Sequence, residues 1–270
     1  MSTNPGPSIS APAQINPTTQ HLRPITTGGW RRGFGPMLGK ELGQWWGTRQ
    51  WLVQALTWLV LINGVIGLAM IMDPSEDTLR VFLPVTALVT AVGVIVTAQG
   101  AIVGEKQRGT AAWILSKPVT RTSFLLSKLT AYAIGFGVVA LTVPWAVFLA
   151  EDRFIAGNDV AILPMLGALG LLGLHVLVYL ALVIALGTVF DSRGPIAAIG
   201  IGVLLTGQFL GGMLPVGVVT VLPWILPELA DAVARAGELP ASLPTALIAN
   251  GALFVAATVT GLWRLSRQEL

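Results

Sequence analysis

Six long stretches without a charged side chain dominate the hydrophobic pattern of the chain, and short polar segments separate them. Each stretch contains at least 22 residues. An α-helix rises about 1.5 Å per residue, so a helix of this length spans the roughly 30 Å hydrocarbon core of a bilayer. The pattern therefore predicts six transmembrane helices. The uncharged stretches are Trp51–Met72, Val81–Val103, Leu129–Ala150, Ala161–Phe190, Ile196–Pro227 and Leu239–Trp263.

The composition agrees with a membrane protein and excludes a soluble globular domain. Hydrophobic residues make up 54% of the chain and charged residues 11%, whereas a soluble domain carries about 25% charged residues. The chain contains no cysteine, so disulfides, thiolate chemistry and cysteine-ligated metals are excluded. We predict an all-α integral membrane protein with no metal site.

Prolines break the fifth uncharged stretch. Pro215, Pro223 and Pro227 punctuate its second half, and a proline inside a helix removes a backbone donor. We therefore expect the crossing to end at about Gly212. A re-entrant or surface segment follows at about 213–244, and it includes a short surface helix within "PELADAVARAGELP".

The residues before the first stretch divide into two parts. Residues 1–29 are rich in Pro, Ser, Thr and Asn without an apolar core, which predicts a disordered cytoplasmic tail and no cleavable signal. Residues 30–50 mix apolar, aromatic and charged positions and predict an amphipathic interfacial helix. The six-span transmembrane domain then covers 51–270.

The basic residues are distributed unequally between the two sets of alternating polar segments. Segments 1–50, 104–128, 191–195 and 264–270 hold 13 of the 16 basic residues and 4 of the 13 acids. The other segments hold 3 basic residues and 9 acids. Lysine and arginine mark the cytoplasmic side of a membrane protein. We therefore predict that both termini and the 104–128 segment are cytoplasmic.

The membrane interior offers few ionisable groups. None of the six stretches contains a carboxylate or a permanent cation, and His175 in the fourth is the one histidine among them. A coupled carrier usually needs an intramembrane acid or base. His175 is a possible polar residue of a translocation path, but a neutral histidine that hydrogen-bonds a neighbouring helix is the favoured interpretation.

The densest charge lies between the second and third stretches, in "GEKQRGTAAWILSKPVTRTSFLLSK". We expect a short helix from Glu105 to Ser116, a turn at Pro118 and a second helix capped by Thr120. On charge alone, this segment is a basic loop that binds anionic lipid.

The order of motifs in the segment adds a second interpretation. The pattern E-x-x-x-G-T, then L-S-K-P-V-T-R, then S-K-L, resembles the signature of ABC transporter permeases of the ABC-2 type, exporter-like family. The preceding "GPMLGKELGQWWGTRQW" resembles the amphipathic helix of that family. The resemblance implies that eleven residues of the 104–128 segment couple the permease to an ATPase. They are Glu105, Lys106, Arg108, Gly109, Thr110, Leu115, Ser116, Pro118, Val119, Arg121 and Lys128. Those of the interfacial helix are Lys40, Glu41, Trp45, Trp46 and Trp51, the tryptophans being suited to the membrane interface.

The resemblance implies a permease that works as a dimer, with a second copy or a paralogue, on separately encoded ATPase subunits. ATP and Mg²⁺ would bind the partner subunit, and this chain would hold no cofactor. Glu105 would pair with a basic group on the ATPase or on the interfacial helix. Gly109 would allow close backbone approach, and Pro118 would set the turn between two helices.

We therefore expect the permease subunit of an ATP-driven exporter in a prokaryotic plasma membrane, with lipids and no nucleic acid among its partners. The chain has no ATPase motif of its own, because "GPMLGKE" at Gly35–Glu41 lacks the spacing and the Ser or Thr of a phosphate-binding loop. The alternatives are a stand-alone secondary carrier or channel and a non-transporting membrane scaffold.

Overall fold

Six helices long and apolar enough to cross a membrane form the body of the structure, as predicted. The structure is a computed structural model that describes residues 29–73, 77–158, 161–235 and 239–268. Nearly all of the predicted N-terminal tail lies outside these residues. Spans 1 to 6 are Trp51–Met72, Thr78–Gln107, Arg121–Ala156, Ile162–Val189, Arg193–Met213 and Leu243–Ser266.

Three spans are interrupted or widened inside the apolar region. Span 1 consists of the helices Gln50–Leu61 and Asn63–Met72, with a break at Ile62. Span 2 consists of the helices Thr78–Ala98 and Gly100–Gln107, with a break at Gln99. Span 3 widens into a π-helical turn over Gly137–Thr142, immediately before Pro144. Since proline has no N–H and its ring crowds the preceding turn, a wider turn accommodates it without ending the helix.

Span 4 is the centre of the bundle. It packs against spans 2, 3, 5 and 6 and against the outer helix described below. In its most apolar 18-residue stretch, 61% of the residues are buried, against 17% in spans 5 and 6. Spans 5 and 6 are therefore peripheral and present large apolar side chains to their surroundings, such as Phe209 and Ile248.

The segment after span 5 contains two helices, Val216–Thr220 and Ile225–Arg235. The second, which we call the outer helix, lies where the sequence predicted a surface helix. It is more deeply packed than that prediction implied, because Leu226, Leu229 and Ala230 are buried against span 4. Its polar residues Glu228 and Arg235 remain exposed.

The polar segments collect at the two ends of the bundle. The interfacial helix, observed as Phe34–Trp46 within the predicted 30–50, contacts the first half of span 3. The interfacial helix, the 104–128 segment, the turn after span 4 and the end of span 6 form what we call the basic end. The segments after spans 1, 3 and 5 form the acidic end. The charge alternation in the sequence predicted this grouping.

Candidate functional site at the basic end

Four charged side chains from three helices meet where the interfacial helix contacts the two ends of the 104–128 segment. Lys128 Nζ donates to Glu41 Oε1 at 2.9 Å and to Glu105 Oε1 at 2.8 Å. Lys40 Nζ donates to Glu105 Oε1 at 3.0 Å and lies 3.5 Å from Glu41 Oε1. We call Lys40, Glu41, Glu105 and Lys128 the charge cluster. It joins the interfacial helix to the end of span 2 and the start of span 3.

Three members of the charge cluster are almost completely removed from solvent. Glu41, Glu105 and Lys128 are 2%, 4% and 2% exposed, whereas the Lys40 side chain is 39% exposed. The two carboxylates and two ammonium groups sum to zero charge, which is what allows them to be buried. Removing one member of such a set leaves an uncompensated buried charge and costs about 3–5 kcal/mol.

The face of the interfacial helix explains how Glu41 reaches the cluster. Met37, Glu41 and Trp45 lie four residues apart and are its buried positions, since residues at this spacing share one helix face. Trp45 packs edge-on against Phe136, at a centroid distance of 5.4 Å. A Cβ atom at Gly135 would lie 2.6 Å from the Trp45 ring.

Trp45 is 9% exposed and packs within the protein, whereas the interfacial position of the three tryptophans stays a prediction. The sequence did not distinguish it from Trp46, because a tryptophan suits a buried helix face and a membrane interface equally. Trp46 and Trp51 are partly exposed and contact each other at a centroid distance of 5.8 Å.

The predicted helix from Glu105 to Ser116 is interrupted. Span 2 ends at Gln107 and a separate helix, Thr110–Leu115, follows. Gly109 has a φ of +68°, a left-handed conformation that glycine adopts at low cost. No atom lies within 4 Å of the position that a Gly109 Cβ would occupy, so its conformation explains this glycine better than the close approach that the resemblance implied.

The turn after the short helix contacts the start of the interfacial helix. Thr120 caps the helix that begins at Arg121, as predicted, and its Oγ1 accepts a hydrogen bond from Ser123 N at 3.1 Å. Thr120 N also donates to Arg32 O at 3.1 Å. The Val119 side chain packs against Gly33, which has a φ of +84°. The turn is thus joined to the same helix that the charge cluster holds.

Two basic residues of the segment are bound within the chain. Lys106 Nζ donates to Thr188 O, in the last turn of span 4, at 3.1 Å and to Asp191 Oδ1, just after that span, at 3.2 Å. Arg121 donates to Ser266 O at 2.6 Å and to Leu265 O at 2.9 Å, at the end of span 6. These contacts connect the segment to spans 4 and 6.

Other residues of the segment face outward. Arg108, Gly109, Ser116, Lys117 and Pro118 are exposed. Trp113 is 63% exposed, and Lys117 Nζ lies 4.1 Å from the centre of its ring. We call Arg108, Trp113, Ser116, Lys117 and Pro118 the exposed patch. Trp113 and Lys117 were not among the predicted site residues, although their spacing of four residues could have indicated a contact on one helix face.

Two further predicted residues, Thr110 and Leu115, connect the short helix to the rest of the chain. Thr110 Oγ1 donates to Glu105 O at 3.3 Å, across the Gly109 bend. Leu115 is partly buried against the hydrophobic core.

His175 lies far from the basic end, in the middle of span 4. It is 2% exposed, and its Nδ1 lies 2.9 Å from Pro223 O, between span 5 and the outer helix. The favoured interpretation, a histidine hydrogen-bonded to a neighbouring element, describes this contact. His175 also lines a cavity that opens toward the acidic end.

Comparisons with known proteins bear on the 104–128 motif. The family model described as ABC-2 family transporter protein matches residues 13–231. An uncharacterized transmembrane protein of Bacillus subtilis (strain 168), YxlG, is 26% identical over 179 residues, which are 65% of this chain and 67% of that protein. The family match confirms the resemblance that the motifs indicated.

Proposed function

Because the chain belongs to the ABC-2 transporter family, the membrane component of ABC transporters, we propose that a separate ATPase subunit docks on its 104–128 segment and drives export. The permease itself supplies the membrane path and not ATP hydrolysis. ATP and Mg²⁺ bind the partner subunit.

The observation that carries the proposal is the connection between the exposed patch and the spans. The patch contains an exposed tryptophan, Trp113, and the exposed basic residues Arg108 and Lys117. Tryptophan and arginine are common anchors of protein interfaces. The short helix that carries Trp113 is hydrogen-bonded to Glu105 through Thr110, and the charge cluster that contains Glu105 joins three helices. A partner that moves the exposed patch therefore moves spans 2 and 3 together with the interfacial helix.

The contacts divide the predicted coupling residues into two groups. Arg108, Ser116 and Pro118 face the partner in the exposed patch, together with Trp113 and Lys117, which were not predicted. Glu105, Lys106, Arg121 and Lys128 act within the permease, because each is bound to another helix or to its terminal carbonyls. Of the two partners predicted for Glu105, the interfacial helix supplies one in Lys40, and span 3 adds Lys128.

The proposed role as a permease driven by an ATPase also implies the composition of the complex. Two permease copies, or this chain and a paralogue, work with two ATPase subunits in a prokaryotic plasma membrane. Both termini face the cytoplasm, as the positive charge of the basic end favours. Lipids cover exposed apolar side chains such as Val53, Val60 and Ile71 of span 1.

Co-purification from the native host tests the docking surface, with partners identified by mass spectrometry. The Trp113→Ala/Lys117→Glu double variant should lose a P-loop ATPase that wild type recovers. The matched control is Trp263→Ala/Arg267→Glu, because Arg267 lies 4.3 Å from the Trp263 ring centre at the same end of the bundle. Recovery of the chain without an ATPase in wild type, or equal recovery in both double variants, would overturn the proposal. The first result would favour a stand-alone carrier.

A further inference from the structure

A cavity of about 400 Å³ opens at the acidic end, remote from the 104–128 segment. The start of span 2, the middle of span 4, the end of span 5 and the outer helix enclose it. Its lining includes Arg80, His175, Leu204, Trp224, Glu228 and Asp231. The volume suits a small organic molecule.

His175 gives the inner part of the cavity a hydrogen-bond acceptor. Its Nδ1 lies 2.9 Å from Pro223 O, and a carbonyl oxygen can only accept, so Nδ1 carries the proton. In a neutral imidazole, the other nitrogen is then an acceptor. Nε2 is buried and has no hydrogen-bond partner among the described residues. A buried acceptor without a partner is unfavourable, so a donor from a bound molecule would stabilise it.

Trp224 gives the cavity an apolar wall held in one orientation. Its Nε1 donates to Val203 O at 3.1 Å, which satisfies its only polar group. Gly207 leaves the space that the Trp224 ring occupies, since a side chain there would overlap the ring. Leu204 and Pro84 add further apolar surface.

The outer part of the cavity is charged. Glu228 and Asp231 lie one turn apart on the outer helix, and Arg80 lies on span 2. The three side chains leave one net negative charge. Asp231 accepts a hydrogen bond from Arg235 Nε at 2.7 Å, which makes Glu228 the carboxylate better placed for a cationic ligand.

We propose that this cavity binds a small organic ammonium ion with a hydrogen-bond donor at its opposite end. The ammonium group pairs with Glu228, the apolar body lies against Trp224, and the donor reaches His175 Nε2. The ligand enters from the side that the acidic end faces. The site requires no ATPase partner, so it stands or falls separately from the docking surface.

Three related compounds test both ends of the ligand. Tyramine carries an ammonium group and a phenol hydroxyl, phenethylamine lacks the hydroxyl, and 4-ethylphenol lacks the ammonium group. Equilibrium dialysis against the full chain in nanodiscs, with empty nanodiscs subtracted, measures the binding of each. Tyramine should bind saturably, and each of the other two about tenfold more weakly, the loss expected for one polar contact.

Two variants locate the site. Glu228→Gln should weaken tyramine binding about tenfold and leave 4-ethylphenol binding unchanged. Glu151→Gln removes a carboxylate at the same end that does not line the cavity, and it should change neither. Because phenethylamine lacks the hydroxyl that tyramine carries, comparing the binding of these two compounds tests the His175 contact even if a His175 variant does not fold. Absence of saturable tyramine binding, equal binding of all three compounds, or equal effects of the two variants would overturn the proposal.

Discussion

Two networks of charged side chains, one at each end of the bundle, differ in their exposure to solvent. At the basic end, Glu41, Glu105 and Lys128 are buried and bound to one another. At the acidic end, Arg235 bridges Asp77 and Asp231 with all three side chains about one third to one half exposed. Buried ion pairs lose a large free energy when one partner is removed, whereas exposed pairs contribute about 0–1 kcal/mol. The charge cluster therefore holds helices together, whereas Asp77, Asp231 and Arg235 remain accessible to solvent and to ligands.

This difference matches the two proposed roles. A surface that receives force from a partner needs a rigid connection to the spans, and a buried network provides one. A ligand site needs reachable polar groups, which the outer helix supplies. Substitutions at the two ends test this difference.

Removal of Lys128 should produce the largest effect. Lys128→Met leaves Glu41 and Glu105 buried without the ammonium group between them, so the free energy of unfolding should fall by about 3–5 kcal/mol. SDS titration in mixed micelles measures it. The Lys128→Met/Glu105→Gln double variant should recover part of the loss, because it removes one of the two buried charges. A loss below about 1 kcal/mol, as for an exposed pair, would show that the basic end is not different from the acidic end.

Overpacking at Gly135 should come next. Gly135→Ala places a methyl group against the Trp45 ring and should cost about 1–3 kcal/mol. Trp45→Leu in the same chain should relieve this cost in the same titration. Gly137→Ala is the matched control, because no atom lies within 4 Å of a Cβ there. Equal losses in the two glycine variants would mean that the interfacial helix is not packed on span 3.

Substitution of Gly109 should separate stability from coupling. Gly109 and Gly157 have φ values of +68° and +72°, so an alanine at either position should cost about 1–2 kcal/mol of stability. Only Gly109→Ala should reduce ATPase co-purification, since Gly109 orients the helix that carries Trp113. If Gly157→Ala reduced co-purification equally, the loss would follow stability and not the docking surface.

The smallest effect concerns pH. The hydrogen bond from Arg235 lowers the pKa of Asp77 below its ordinary value of 3.8. Because the pKa of Asp77 is lower in the folded state, the pair stabilises the fold at pH values above the ordinary pKa. This stabilisation is lost as the pH falls through the folded-state pKa. Asp77→Asn should cost less than about 1 kcal/mol at pH 7, because the pair is exposed. The difference from wild type should shrink below about pH 4, and a difference that persists there would contradict the assignment.

Local sequence patterns predicted the secondary structure well where residues close in the sequence determine it. The cap at Thr120 and the six spans were predicted correctly, because capping and hydrophobicity depend on neighbours in the sequence. The uninterrupted helix through Gly109 was wrong, since a glycine permits a left-handed turn without requiring one. The burial of Trp45 against span 3 was not predicted, because it depends on Gly135, 90 residues away.

The membrane class, the number of spans and the grouping of charges into two ends follow from the spacing of charged and apolar residues along the chain. Which charges meet depends on how the helices pack in three dimensions. Glu105 contacts Lys40 across 65 residues and Lys128 across 23, and this depends on the rotation of three helices about their axes. The same holds for His175, whose two nitrogens face different surroundings. Hydrophobic periodicity specifies which face of a helix is buried, but it does not specify which polar side chain of another helix contacts that face.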